Sequence, residues 1–330
     1  MTAKAPMGNA RPFRMIAGVS TLSDLADGAG ANWGYPGAGY GGKQYFVNNI
    51  TGASTNDGSD WQHAFAQVDE AIAASEAYRV LPSGTTGDYI RNQIFIQGTG
   101  TAYEVVAVAT VNMTDFIGIG AFAWGNGTGV AQISGLGAAH AFALSATARG
   151  NNFYNIRFDG SGAYNAFDCA NLLRTTFVDC FFGGDAITNS SLTTGFYTDG
   201  DCGGLLFKHC FFGSDWAELT TGINFAGASV GMTEIRDCIF VGGTGIHIGS
   251  GNLDNQTVIR DNVMQCTAHG ILTENGGAGY DRSIIVNNYI ISADAIHRAG
   301  GGDTNSGDDA SIFNHVNNGG TAAEEHTYTV

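Results

Sequence analysis

Residues 177–182 of the chain read FVDCFF, and residues 207–212 read FKHCFF. Four further copies of this six-residue pattern, which we call the hexad, stand at 153–158 (FYNIRF), 235–240 (IRDCIF), 259–264 (IRDNVM) and 285–290 (IVNNYI). The third positions of successive copies lie 24 to 30 residues apart. A repeat of this length indicates a solenoid, a propeller or an array, because a single unit is too short to bury a hydrophobic face alone.

The residue types within the hexad predict its conformation. The first and sixth positions are always large and apolar, and the third is always Asn, Asp or His. Alternate residues of a strand point to opposite faces, and a polar residue that tolerates a left-handed backbone allows a sharp bend between two short strands. The hexad therefore predicts two strands and a bend in every turn, with the copies stacked in register. The fourth position then forms a column of Ile156, Cys180, Cys210, Cys238, Asn262 and Asn288.

A third strand in each turn is visible but less regular. Its predicted starts are small residues followed by Ile or Phe, at Gly195, Gly222, Gly245, Gly270 and Ala295. Closely spaced short strands also occur in antiparallel β-sandwiches. That alternative requires hairpins, whereas here the same hexad returns at the same place in each unit, so we favour parallel stacking.

With these hexads and columns, the stretch from 153 to 290 resembles the pectate-lyase-like superfamily. The resemblance implies an all-β fold, a right-handed parallel β-helix solenoid. Apolar runs between Ile94 and about Val316 predict eight or nine rungs. We expect an extended N-terminal arm at 1–44, a strand and capping helix at 45–90, the β-helix at 91–316 and a C-terminal tail at 317–330.

The sequence before the first rung predicts a cap. Residues 45–50 (YFVNNI) are typical of a strand, 55–60 (TNDGSD) of a turn and 61–78 of a helix that Ser59 or Asp60 would cap. The apolar positions of this helix fall on one face and are Ala64, Phe65, Val68, Ala71 and Ile72. The resemblance implies that such a helix covers the open first rung and shields its strand edge.

Composition and charge exclude several classes of partner. The net charge is −16 and Lys occurs only at 4, 43 and 208, so we expect neither nucleic-acid binding nor attraction to an anionic membrane surface. No run of 18 apolar residues exists. We also expect no metal and no cofactor, because ligand-spaced Cys or His pairs do not occur. The cysteines read as buried reduced thiols, although Cys180, Cys210 and Cys238 would be close enough on successive rungs for a disulfide.

The fifth hexad position should point outward, where stacking would produce one stripe. After Arg157 this position is apolar in every copy, and we assign to an oligomer interface Phe181, Phe211, Ile239, Val263 and Tyr289. Soluble monomers rarely expose a contiguous apolar patch above a few hundred Å². We expect a second copy to cover the stripe, most simply in a homotrimer of parallel rods. The alternative is that the loops of residues 180–222 fold back over it.

The second hexad position holds a basic stripe at Lys208, Arg236 and Arg260. The stripe could meet the carboxylates of a neighbour or a sugar acid. The simpler interpretation is a solvated face whose cations pair with local Asp, and such exposed pairs contribute little to stability.

Two insertions after the hexads bring acidic residues into one region. Glycan hydrolysis needs two carboxyl groups about 5–10 Å apart, and the candidates for such catalysis are Asp199, Asp201, Asp215 and Glu218. The calcium-binding acids with a catalytic Arg or Lys of pectate lyases have no matching cluster here. The motifs of polygalacturonases are also incomplete, since Asp308-Asp309 and His269-Gly270 occur in the wrong order and without their companions.

Three functions follow as hypotheses. The first is a non-enzymatic virion protein of a phage, a capsid decoration protein or head fibre, because the arm, the absent secretory signal and the outer stripe resemble those of phage structural proteins. Its localisation would be the virion, assembled in the host cytoplasm, with a capsid or other virion protein as partner. The particle anchor would be Arg11, Phe13, Arg14, Trp33 and Tyr35. The second is a spike-type depolymerase acting on a surface glycan, and the third is a cell-surface adhesin, which the lack of an export signal disfavours.

Overall fold

The structure is a computed structural model that describes residues 42–80, 90–124, 129–135, 139–160, 164–184, 194–213, 219–227, 230–249, 253–254, 257–274, 284–299 and 312–317. Within these residues the chain forms one twelve-residue helix, α1 (Val68–Arg79), and 25 strands. The strands are β1 (Gln44–Val47), β2 (Asn92–Gln97), β3 (Val106–Val108), β4 (Thr114–Ile119), β5 (Gln132–Ser134), β6 (Phe142–Arg149), β7 (Asn152–Tyr154), β8 (Arg157–Gly160), β9 (Phe167–Leu173), β10 (Thr176–Val178), β11 (Phe181–Gly184), β12 (Thr194–Thr198), β13 (Cys202–Gly203), β14 (Leu206–Lys208), β15 (Phe211–Phe212), β16 (Leu219–Phe225), β17 (Val230–Gly231), β18 (Glu234–Arg236), β19 (Ile239–Ile248), β20 (Leu253–Asp254), β21 (Val258–Arg260), β22 (Val263–Glu274), β23 (Ile284–Ile291), β24 (Asp294–Ala299) and β25 (Ile312–Asn317).

The strands stack in parallel, most of them on three faces, while β13, β17 and β20 form a further short column that continues from the end of β9. This stacking confirms a parallel β-solenoid. Face A is the column β1, β2, β4, β7, β10, β14, β18, β21, β23 and β25. Face B runs through β5, β8, β11, β15, β19, β22 and β23. Face C runs through β3, β6, β9, β12, β16, β19, β22 and β24, with the predicted third strands in register.

The number of turns differs from the expectation. The solenoid has about six regular turns, rather than eight or nine. These correspond to the six hexads. The expectation counts the apolar runs before the first hexad and after the last as full rungs. Of these, β1 and β2 extend face A, and β25 extends faces A and B through its pairing with β23.

The third hexad position is the bend between faces A and B. All six residues there have a left-handed backbone, with φ between 54° and 57°, and are Asn155, Asp179, His209, Asp237, Asp261 and Asn287. Asn and Asp adopt this conformation more readily than other non-glycine residues, because their short polar side chains can hydrogen-bond locally. The predicted sharp bend is confirmed.

A second left-handed bend precedes face A and was not predicted. Its positions are Met113, Gly150, Arg174, Gly204 and Met232, with φ between 50° and 69°. The residue types vary, so no repeating letter marks this bend in the sequence. A polar residue often follows it, as at Thr175 and Thr233, whose hydroxyls donate to the carbonyls of Leu173 and Gly231.

The core consists of aligned side chains from successive turns. Phe153, Phe177 and Phe207 stack face to face with ring centroids 4.9 Å apart on face A. On face B the rings of Phe182 and Phe212 also stack face to face, with centroids 4.7 Å apart. Such pairs add a geometric preference to the burial of large apolar area.

The glycines that begin the face C strands are required by this packing. A Cβ on Gly222 would lie 2.6 Å from a ring carbon of Phe240 and 2.6 Å from the carbonyl oxygen of Gly245. On Gly270 it would lie 2.4 Å from Ile290 Cγ2. Small residues recur there because the large sixth-position side chains fill the space across the corner.

The fourth hexad position points into the core, as predicted. Cys180, Cys210 and Cys238 are buried free thiols. The column continues as Asn262 and Asn288, whose side chains are joined by a 2.9 Å hydrogen bond. Because Asn262 Oδ1 also accepts the N–H of Cys238, the buried amides satisfy backbone groups at the bend.

The capping helix is shorter than predicted. It begins at Val68, not Trp61, and neither Ser59 nor Asp60 caps it. Asp60 Oδ1 instead accepts the N–H groups of Gln62 and His63 and closes a local turn. The Glu70 carboxylate accepts the N–H of Gln67 at the true helix start.

The preceding segment protects the edge of β1. Phe65 forms a parallel bridge with Val47, and the N–H of Phe46 donates to the carbonyl of Gly58. Residues 58–65 thus occupy the backbone groups that a first strand would offer to another chain. The apolar positions predicted for the helix are buried, but Ala64 and Phe65 belong to this edge segment.

Within the described residues, no helix has the length and apolar character needed to cross a membrane.

Candidate functional site

The predicted outer stripe exists as one register column on face B. Phe181 pairs with Phe211, Phe211 with Ile239, Ile239 with Val263, and Val263 with Tyr289. The left-handed residue before each of them reverses the inside–outside order, so the fourth position points inward and the fifth outward. Its assignment to an oligomer interface stays a prediction.

The stripe is covered at one end and exposed at the other. Phe181 is only 2% exposed, with the Arg157 guanidinium 4.2 Å from its ring centroid and the Phe211 ring stacked on it at 5.2 Å. Val263 and Tyr289 are 44% and 41% exposed. The apolar surface that another chain could cover is therefore the last part of the stripe.

A segment from earlier in the chain covers part of the stripe. We call residues Ala121, Phe122, Ala123 and Trp124 the aromatic segment. The indole N–H of Trp124 donates to the carbonyl of Cys180 at 3.2 Å, and its ring centroid lies 5.7 Å from that of Phe211. Among the described residues this cover comes from 121–124. The alternative that the loops of 180–222 cover the stripe stays a prediction, because residues 185–193 and 214–218 lie outside the described residues.

The aromatic segment also crosses the bend between faces A and B. The N–H of Ala123 donates to Asn155 Oδ1 at 2.8 Å, and the Trp124 ring lies 4.9 Å from the His209 ring. His209 is in turn hydrogen-bonded to Asp179 through Nδ1. The segment thus contacts two bend residues, Asn155 and His209, and His209 links it to a third, Asp179. No periodicity in the sequence of the segment predicts these contacts.

The basic stripe is in register and paired with local acids. Lys208, Arg236 and Arg260 lie on adjacent strands of face A. Glu234 lies within 3.2 Å of the Arg236 guanidinium and 2.9 Å of the Arg260 guanidinium, and Arg260 also contacts Asp261 at 2.6 Å. The interpretation of a solvated face with local partners is confirmed for these two arginines.

Two of the four predicted catalytic acids are described, and they lie close together in the chain. Asp199 follows β12 and Asp201 precedes β13, and both are exposed. The N–H of Asp201 is held by Asn171 Oδ1 at 2.7 Å, which fixes the backbone of this corner. Asp215 and Glu218 lie outside the described residues, so their predicted role stays untested.

Comparison of the chain with models of protein families, with curated proteins and with solved structures finds no match in any of the three.

A polar cluster on the outer surface of face C was missed by the sequence analysis. Register places Tyr197 beside Asp168, and Asp199 follows two residues later. Burial raises the pKa of Tyr197, and the carboxylates of Asp199 and Asp168 raise it further. Asn165 donates to Asp168 at 2.7 Å, and its N–H donates to His140 Nδ1 at 3.0 Å. Alignment of the third strands, rather than of the hexads, would have brought Asp168 and Tyr197 together.

The predicted particle anchor, at 11–35, lies outside the described residues. Among the residues that the structure does describe, no group of three or more His, Cys, Asp or Glu side chains is placed to hold a metal ion.

Proposed function

We propose that the chain is a non-enzymatic structural protein of a virus particle, a capsid decoration protein or head fibre of phage type. The solenoid is a rod that contacts other chains through the exposed end of its outer stripe, and residues 1–44 attach it to the particle. The same proposal includes that the solenoid belongs to the pectate-lyase-like class and that the protein forms a homotrimer.

The observation that carries this proposal is the exposure of Val263 and Tyr289 in adjacent register. Burial of apolar area is the main favourable term in protein association. A continuous apolar stripe on neighbouring turns supports a contact with another chain, because solvent exposure of such a patch is unfavourable. A repeating rod also suits a structural role, since each turn presents the same backbone geometry to a partner.

Light scattering after size exclusion tests the contact on the full-length chain. We expect a mass near three times 34.3 kDa. In the variant Val263→Ser, Tyr289→Ser we expect dissociation to single copies, because the exposed apolar contact is lost. Phe181 is unsuitable for this test, since it is buried within its own chain and its replacement would disturb the fold.

The matched control is Ile50→Ser, which changes a side chain that is 62% exposed but far from the stripe along the chain. This variant should keep the mass of the unchanged protein. Removal of residues 1–41, which stops short of β1, should leave the circular dichroism of the rod intact and abolish binding to the particle. A monomeric unchanged chain, or a stripe variant that stays assembled, contradicts the proposal.

A second candidate, a glycan depolymerase, is favoured by the polar cluster on face C. Asp168 and Asp199 flank Tyr197, and two neighbouring carboxyl groups are what glycoside hydrolysis requires. If this function holds, purified protein releases reducing ends from a surface polysaccharide, and Asp168→Asn with Asp199→Asn lowers that release at least a hundredfold. Asp57→Asn, an exposed acid of the N-terminal turn, is the control, and a panel of glycans that yields no reducing ends contradicts the candidate.

A further inference from the structure

The aromatic segment shows what the outer stripe accepts as a cover. It crosses the bend after Gly120, whose φ of 139° turns the chain out of β4, and its residues Ala123 and Trp124 lie in a turn. Its indole lies against a fifth-position side chain, and its N–H donates to a fourth-position carbonyl. This intramolecular contact combines apolar burial with one directional hydrogen bond.

The backbone carbonyl that accepts the indole N–H of Trp124 has equivalents on later turns. The carbonyl of Cys180 accepts the N–H of Phe211 at 2.9 Å as well as the indole N–H, because a carbonyl oxygen has two lone pairs. The carbonyl of Cys238 accepts the N–H of Val263 at 2.9 Å in the same way, and that of Asn262 accepts the N–H of Tyr289 at 2.8 Å. The acceptor that binds the indole is therefore repeated beside Val263 and Tyr289.

The two ends of the stripe differ in their cover. At Phe181 the stripe is buried within the chain, whereas Val263 and Tyr289 are exposed in the same column. The bend residue beside Val263 is Asp261, whereas beside Phe211, against which the indole lies, it is His209. The last two turns thus repeat the backbone acceptors and the outward apolar side chains of a surface that already holds an aromatic segment.

We propose that the exposed turns at Val263 and Tyr289 bind a short segment of a partner protein that carries a tryptophan two residues after another aromatic residue. The indole of the partner lies against Val263, and its N–H donates to the carbonyl of Cys238. This inference deepens the proposed function and rests on the same surface. It names the chemistry of the contact, which the proposed function leaves open.

The test uses a fluorescein-labelled peptide of residues 118–125, GIGAFAWG, added to the full-length protein. We expect its fluorescence anisotropy to rise with protein concentration. The peptide with Ala in place of its Trp should bind at least tenfold more weakly, because it lacks the indole surface and the N–H donor. Val263→Ser, Tyr289→Ser in the protein should weaken binding by a similar factor, and Ile50→Ser should leave it unchanged.

Light scattering with unlabelled peptide separates this inference from the proposed function. A monomer that binds the peptide contradicts the contact between copies and supports the inference. An assembled protein that loses mass as the peptide binds supports both. The absence of binding at 1 mM peptide, or equal binding by the stripe variant, overturns the inference, whatever the mass of the protein.

Discussion

At the scale of the residue, the bend between faces A and B depends on side chains that tolerate a left-handed backbone. The six third-position residues share this conformation although they differ in charge and in size. For residues other than glycine, the left-handed region costs about 1–2 kcal/mol, least for Asn and Asp. The conformation of each bend therefore depends on the third-position residue of its own turn.

Asn287 offers the clearest test, because it is exposed and its φ is 57°. We expect Asn287→Gly to leave the thermal unfolding midpoint nearly unchanged, since glycine adopts this conformation without steric cost. Asn287→Val should lower the free energy of unfolding by about 1–3 kcal/mol, because a β-branched side chain is strained there. The midpoints are read by circular dichroism. Equal midpoints for the Gly and Val variants would show that the bend is not under this constraint.

At the scale of the element, the helix shows how tertiary contacts override a sequence pattern. The apolar spacing from Ala64 to Ile72 fits a helix, yet residues 58–65 instead pair with the edge of β1. Ser75, within the helix, is buried, and its hydroxyl and carbonyl accept hydrogen bonds from the Asn92 amide. The helix is thus attached to face A by polar contacts that no helical periodicity could reveal.

For the strands, unlike the helix, the pattern of apolar residues in the sequence agrees with the packing in the structure. Phe, Ile or Met stands at every first and sixth hexad position, and the same residues form the stacked interior columns. Since the spacing of the residues within the hexad is the same in each turn, the register of one turn restricts that of the next. The prediction of these columns from sequence therefore needed no knowledge of distant contacts.

At the scale of the whole molecule, the thiols make stability dependent on alkaline pH. Burial raises the pKa of Cys202 to about 11, and it raises the pKa values of Cys169 and Cys210 well above their ordinary value. The unfolded chain releases these protons from about pH 9, so there it binds fewer protons than the folded chain. The contribution of these thiols to the free energy of unfolding is therefore fully present below about pH 9. Above that pH it falls by about 1.4 kcal/mol per pH unit for each thiol.

We expect the thermal unfolding midpoint, measured with a reducing agent present, to be constant between pH 7 and 8.5 and to fall from pH 9 to 11. Burial also raises the pKa of Tyr45 to about 12, which acts in the same direction at the upper end. In the variant Cys202→Ala the midpoint should fall less steeply with pH, because one buried thiol no longer contributes. A midpoint that stays constant up to pH 11 would contradict the burial of these groups.

The parallel stacking, the first bend and the columns of the core could all be predicted from the repeat in the sequence. These features depend on residues within one turn and on the same residues one turn later, so a repeat in the sequence carries them. The start of the helix, the polar contacts on face C and the covered end of the outer stripe depend instead on contacts between distant parts of the chain. The aromatic segment comes from a single stretch at 121–124 and lies against residues up to about 90 positions away, and a contact that occurs once leaves no period to read.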